Sequence, residues 1–287
     1  MDLRQYGLSA GQTVKASRSL DYQPFVIADD LVTGAAYSWA FAGDPRVRPS
    51  LVFRRDQYPA DEWLRITDSN NRLRAMYDCF IAELARRYPG GTLLDCACNN
   101  GYFPVAAETM GMRGIGMDMV DYAASFDILN DICGTRARFI HQSYDSVAHS
   151  LPVTKTYDVI VASAIVCHLP DPLHFFKAIG KIAQEALLFW GQIIDSDTMI
   201  ISYNPPHMEL SRLSSFPNSF NDNTRVSRGM FMHAMAAMGF KNIVEIPWQS
   251  AWLPPRLPYS FAASYESGLD AELRTGSPHV AYLAMRK

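Results

Sequence analysis

No apolar run in this 287-residue chain approaches the ~20 residues that a helix needs to cross a bilayer. The opening Met1-Asp2-Leu3-Arg4-Gln5-Tyr6-Gly7 lacks a basic stretch followed by an apolar one, so secretion is not expected. Cysteine is scarce: five residues, an odd number, do not make a disulfide framework. Charge of one sign is lacking too. Lysine and arginine total 26 against 29 acids, a net charge of −3, which disfavours broad binding to a phosphate backbone. Internal repeats and low-complexity tracts are absent. What the chain does have is 48% hydrophobic and only 19% charged residues, enough for a substantial core. A soluble, reduced, cytoplasmic protein is the expectation, with no membrane or nucleic-acid partner.

The hydrophobic pattern changes along the chain. Residues 1–88 read as an N-terminal extension, a helical cap: weakly periodic and aromatic at first, with Tyr37, Trp39 and Phe41. One or two amphipathic helices then run over Ala60–Tyr88 through Ile66, Leu73, Tyr77, Phe80 and Leu84. Pro89-Gly90-Gly91 stops that run. Residues 89–287 alternate short apolar strands with helices. Strands are expected at Thr92–Ala97, Gly114–Met117, Arg138–His141, Tyr157–Ala164, Ala186–Trp190, Asn242–Ile246 and His279–Met285. Fully apolar short strands between helices imply a parallel sheet covered on both faces. The last strand has no crossover helix before it and should run antiparallel. The predicted class is therefore α/β: a doubly wound, mostly parallel seven-stranded sheet with an antiparallel last strand. Two long connections, 195–223 and 247–277, carry aromatics and prolines and read as lid insertions.

The most informative segment is Leu93-Leu94-Asp95-Cys96-Ala97-Cys98-Asn99-Asn100-Gly101-Tyr102-Phe103. A strand ends in an acid, a turn of small residues follows, and a helix begins. Backbone amides at such a turn can approach a ligand closely. Asp118 follows about twenty residues on, at the end of the next strand, where an acid can take both hydroxyls of a ribose.

This arrangement resembles the class I S-adenosylmethionine (SAM)-dependent methyltransferases. That family's first motif is commonly Asp-x-Gly-x-Gly-x-Gly; here Ala97 and Asn99 replace two of the glycines and Gly101 keeps the third. Asparagine is the non-glycine residue that best tolerates positive φ. The resemblance covers about 91–287. It implies SAM as cofactor and a binding set of Asp95, Ala97, Cys98, Asn99, Gly101, Tyr102, Asp118, Met119, Ser143, Tyr144, Ser163 and Ala164. His168, in Cys167-His168-Leu169-Pro170-Asp171-Pro172 after the fourth strand, is the candidate general base, with a structural role as the alternative.

Other motifs weigh less. Gly111-Met112-Arg113-Gly114-Ile115-Gly116 precedes the second strand instead of following the first, which argues against NAD. Cys96 and Cys98 lack zinc-ligand spacing, so no metal is expected. Asn204-Pro205-Pro206-His207 follows the fifth strand, the wrong place for an amino-methylating signature, and its histidine replaces the aromatic stacker. Met230, Met232, Met235 and Met238 have helical spacing and read as a core face.

Tyr203, Phe216 and Phe220 in one insertion, and Trp248, Trp252 and Tyr259 in the other, suggest an enclosed, aromatic-lined pocket for a small molecule. A small-molecule methyltransferase is the expected function, with a homodimer allowed. Three alternatives stay open: alkylation within SAM releasing methylthioadenosine, tRNA-uridine modification, and SAM binding without turnover. Arg54, Arg55, Arg65, Arg72 and Arg74 form the one basic cluster, to which RNA contact or the methionyl carboxylate could be assigned.

Overall fold

The computed structural model describes residues 1–37, 51–143, 156–169, 171–204, 223–247 and 279–287. In chain order the longer elements begin with helix α1 (Ala10–Ser19), strands β1 (Val26–Ala28), β2 (Leu31–Thr33) and β3 (Val52–Arg54), and helix α2 (Ala60–Arg87). Strand β4 (Thr92–Cys96), helix α3 (Tyr102–Thr109), strand β5 (Arg113–Asp118), helix α4 (Ala123–Cys133) and strands β6 (Arg138–His141) and β7 (Tyr157–Ser163) follow. The remainder comprises α5 (Pro172–Ile182), β8 (Ala183–Ile194), β9 (Ile201–Asn204), β10 (Asn223–Ser227), α6 (Arg228–Ala237), β11 (Asn242–Glu245) and β12 (His279–Met285). Among the described residues no helix is long and apolar enough to cross a membrane.

The chain divides into two compact units. Among the described residues the first takes 1–37, 51–90, 98–141 and Pro247; the second takes 91–97, 142–143, 156–169, 171–204, 223–246 and 279–287. In the first, β1, β2 and β3 form an antiparallel sheet. Ile66 of α2 joins Val26, Val32, Tyr37 and Phe53 in the cluster beneath it. The periodicity over residues 60–88 becomes a single 28-residue helix, whose buried stripe includes Leu73, Tyr77, Phe80 and Leu84. Tyr77 lies 4.6 Å from the Phe103 ring and 5.2 Å from Tyr102, which fixes α3 against α2. Strands β5 and β6 pair in parallel, Gly116 opposite Phe139.

In the second unit the strand order is β11-β12-β8-β7-β4. Pairs β4–β7 and β7–β8 are parallel. Strand β12 runs against β8 and β11, as expected from a sequence with no obvious helical pattern before it. The interior of β7, Val159–Ala162, is buried throughout, as a strand covered on both faces must be. Helix α5 starts at an Asp171 cap, whose carboxylate accepts from the His174 amide at 2.9 Å, with Pro172 in the first turn. Its last carbonyls are met by Arg286, which donates to Gly180 and Ala183 and also to Met238 at the end of α6.

One connection is more regular than its composition suggested. Within 195–223, Ile201–Asn204 forms β9 and pairs antiparallel with β10, which lies parallel to the end of β8. Serine, asparagine and proline are frequent in that segment and hide the β-branched pair Ile200-Ile201, where the strand begins. Ser227 joins the pieces: its hydroxyl donates to the Thr198 carbonyl and accepts from the Ile200 and Met230 amides.

Close backbone approach is sharpest at Gly114, where an added Cβ would stand 1.9 Å from the Pro104 carbonyl oxygen. Gly114→Ala is expected to lower unfolding stability by about 1–3 kcal/mol or more, because backbone and not a side chain must yield. Gly11→Ala, inside α1 with nothing nearer than 4.0 Å, should instead raise it by about 0.5–1 kcal/mol. Urea unfolding of the two variants checks the contrast.

Candidate active site

The turn after β4 is backbone held against its preference. Ala97 has φ 64°, Asn99 φ 50° and Gly101 φ 90°. Positive φ is expected at Asn99 from its residue type; at Ala97, one of the small residues of the turn, the left-handed conformation is a finding of the structure. An L-residue held there costs about 1–2 kcal/mol. Ala164, directly after β7, shares the condition at φ 54°. Among the described residues these three are the only non-glycine residues with positive φ, and all follow the carboxyl ends of parallel strands. Strain of this kind gathers at functional sites.

In the first unit, hydrogen bonds hold the turn. Cys98 N–H donates to the Met117 carbonyl at 3.1 Å, and Asn99 N–H donates to Asp118 Oδ2 at 3.0 Å. Asn99 Oδ1 accepts from the next amide, Asn100 N–H, at 2.9 Å, a local bond that explains asparagine at this position. Asp118 Oδ1 accepts from Val120 N–H at 2.9 Å. Each carboxylate oxygen has a second acceptor site, so the half-buried Asp118 can still take ligand hydroxyls. Met119 beside it is 53% exposed.

Asn100 was not singled out by sequence, yet it organises this region. Its Oδ1 accepts from the amides of Tyr22 at 2.9 Å, Gln23 at 3.3 Å and Asp21 at 3.4 Å. Its amide donates to the Ser19 carbonyl and to Ser125 Oγ, both at 3.2 Å. Gln23 Oε1 then accepts the Tyr102 amide at 2.8 Å at the start of α3. The Tyr102 ring is fully buried beside Phe25, Tyr77 and Phe103. Its hydroxyl donates to Asp78 at 2.6 Å. Burial, and then the Asp78 charge, push that phenol well above its usual range.

The structure thus brings Cys98, Asn99, Gly101, Tyr102, Asp118 and Met119 together in the first unit. Asp95, Ala97, Ser143, Ser163, Ala164 and His168 belong to the second. Asp95 is buried near the end of β4, opposite Val161. Burial and the Asp95 charge hold the neighbouring Cys96 as a thiol. His168 ends a short 3-10 helix (Val166–His168) after β7 and is exposed. Tyr144, Trp39, Phe41, Phe216, Phe220, Trp248, Trp252 and Tyr259 lie outside the described residues. Two further residues of the second unit went unnoticed in the sequence, Arg225 and His279, because only strand register places them near Trp190.

The turn yields a direct test. Ala97→Gly removes left-handed strain and should raise stability by about 0.5–1 kcal/mol. Asn99→Val should lower it by about 1–3 kcal/mol, since a β-branched residue resists positive φ and the local Asn99–Asn100 bond is lost. Urea midpoints shifted in these opposite directions are the expected result.

A family model described as a methyltransferase domain matches residues 70–244, more than half of the chain and the whole of the strained turn. Among curated proteins, the ubiquinone biosynthesis O-methyltransferase of Aliivibrio fischeri is 29% identical over 118 residues, 40% of this chain and 47% of that protein. Its counterpart from Vibrio cholerae is 27% identical over 115 residues, 40% and 45% respectively. The chain therefore spans about half the length of the curated relatives it matches. Among solved structures, the N-terminal domain of EvdMO1 with S-adenosylhomocysteine bound is similar in fold, with a TM-score of 0.51 and 12% identity over 74% of this chain and 81% of that one. With this match over more than half of its length, the chain belongs to the methyltransferase-domain family.

Proposed function

We propose that the enzyme transfers the methyl group of SAM to an oxygen of a small molecule. The observation that carries the reading is the strained turn at Ala97–Gly101, whose Asn99 amide is held by the Asp118 carboxylate. Asp118 would take the ribose hydroxyls of the cofactor through its remaining acceptor sites, and the exposed Met119 would cover the adenine. Asp95, Ala97, Cys98, Gly101, Tyr102, Ser143, Tyr144, Ser163 and Ala164 complete the proposed cofactor set. The choice of oxygen rests on the curated relatives, both named O-methyltransferases.

Bound SAM supplies a sulfonium that makes its methyl group electrophilic. The protein must then position the acceptor in line and, for an oxygen acceptor, take up its proton. His168, exposed after β7, is the proposed base. Residues 1–88 are proposed as a cap and the segments 195–223 and 247–277 as covers of an enclosed acceptor pocket.

The basic cluster supports a small acceptor over RNA. Arg72 is 1% exposed and ion-paired to Asp68 at 2.8 Å. Arg74 stands 3.4 Å from Asp2, and Arg55 donates to the Tyr58 carbonyl while lying over the Trp63 ring. These arginines serve the internal structure of the first unit, not a continuous basic face.

Mass spectrometry after incubation with methyl-labelled SAM and a panel of small hydroxylated acceptors tests the reading. Equal amounts of S-adenosylhomocysteine and labelled methyl ether are expected, and His168→Ala should reduce both roughly a hundredfold without weakening SAM binding. Methylthioadenosine as the main product would contradict methyl transfer.

A further inference from the structure

Helix α2 buries one polar group that the fold leaves without a bond. Asn70 is 3% exposed, and neither its Oδ1 nor its Nδ2 has a hydrogen-bond partner among the described residues. Buried carboxamides are almost always paired, because an unmade bond costs the full desolvation of the group. The backbone opposite is shaped to leave room for this side chain. Gly34, at φ 138°, faces it, and an added Cβ there would stand 2.7 Å from Asn70 Oδ1 and 3.2 Å from Pro24 Cα. Glycine at position 34 therefore keeps open the space that the carboxamide occupies.

Asn70 stands one chain crossing away from the start of α3. The Ala35 amide, next to Gly34, donates to the Tyr22 carbonyl at 2.8 Å. Tyr22 and Gln23 are two of the residues whose amides meet Asn100 Oδ1, and Gln23 Oε1 accepts the Tyr102 amide. Helix α2 reaches the same place directly. Tyr77, seven residues after Asn70 and on the same helix face, packs its ring on Tyr102. Two helical turns, about 10 Å, separate Asn70 from that contact. Arg74 lies between them on the same face, and its charge acts on the buried Tyr102 phenol. All of these residues belong to the first unit.

We propose that the Asn70 carboxamide holds the amino-acid end of the cofactor. The inference rests on the methyltransferase reading and deepens it. SAM and S-adenosylhomocysteine both end in an ammonium beside a carboxylate. A carboxamide matches that pair, with two N–H donors for the carboxylate and a carbonyl that accepts from the ammonium. Bonds to ionised groups are the strong ones, and they gain further where water is excluded. Arg74, one turn on, favours the carboxylate over the ammonium on its side. The basic cluster is not needed for direct contact, since Arg72 and Arg74 are ion-paired to Asp68 and Asp2. A neutral side chain makes the contact instead.

The test is calorimetry on the whole chain with two ligands, S-adenosylhomocysteine and methylthioadenosine. The second shares the adenosine and the sulfur and lacks the amino-acid end. The wild type should bind S-adenosylhomocysteine at least tenfold more tightly. Asn70→Leu should weaken S-adenosylhomocysteine at least tenfold and leave methylthioadenosine within twofold, because only the first ligand reaches the carboxamide. If Asn70→Leu does not fold, Asn70→Ala supplies the same comparison. A purely structural role would weaken both ligands or neither. Equal affinity of the wild type for the two ligands, unchanged S-adenosylhomocysteine affinity in a folded variant, or parallel loss of both ligands overturns the assignment. Failure of the wild type to bind either ligand would sink the methyltransferase reading itself, a separate outcome.

Discussion

The hydrogen bond from the Asn99 amide to the Asp118 carboxylate is the constraint on which the rest depends. It joins the turn after β4 to the end of β5, and it forms only if Asn99 accepts a left-handed backbone. The same carboxylate is the acid proposed for the cofactor ribose. One side chain therefore fixes the shape of the turn and offers ligand-binding capacity, which explains why an acid stands at the end of β5. Glycine would relieve the strain at Ala97 and Asn99. Alanine and asparagine hold the turn in fewer conformations, and the two bonds made by the Asn99 backbone and side chain offset part of the cost.

A second layer holds the first. Asn100 gathers three amides of Asp21–Gln23 on one oxygen, and Gln23 returns to the Tyr102 amide at the helix start. The N-terminal segment is thus part of the turn's scaffold. Burying Asn100 at 1% exposure is tolerable because its carboxamide is engaged at both ends. The aromatic set of Phe25, Tyr77, Tyr102 and Phe103 then keeps α3 in place beneath it.

How much was legible beforehand follows from how local each signal is. Strands β4, β5, β7 and β12 are short apolar runs bounded by turn residues, and each lies within two residues of its expected limits. The left-handed conformation at Asn99 was readable from residue type, whereas that of Ala97 was not, because alanine carries no such preference. The Asn100–Gln23 scaffold spans 77 residues between its partners and leaves no periodic trace. The antiparallel pairing of β9 with β10 was hidden by a polar, proline-containing composition. Arg225 and His279 match no motif at all; their meeting near Trp190 is a consequence of register across β10, β8 and β12, which composition does not encode.

The central claim is that the Asp118 carboxylate, which holds the Asn99 amide, binds SAM. Its most direct measurement is a calorimetric titration of SAM into the wild type and into Asp118→Ala, with circular dichroism establishing that both are folded. The account predicts at least a tenfold loss of affinity in the variant, since hydrogen bonds to a charged group contribute about 1.5–3 kcal/mol. Equal affinity in a folded Asp118→Ala protein would contradict it.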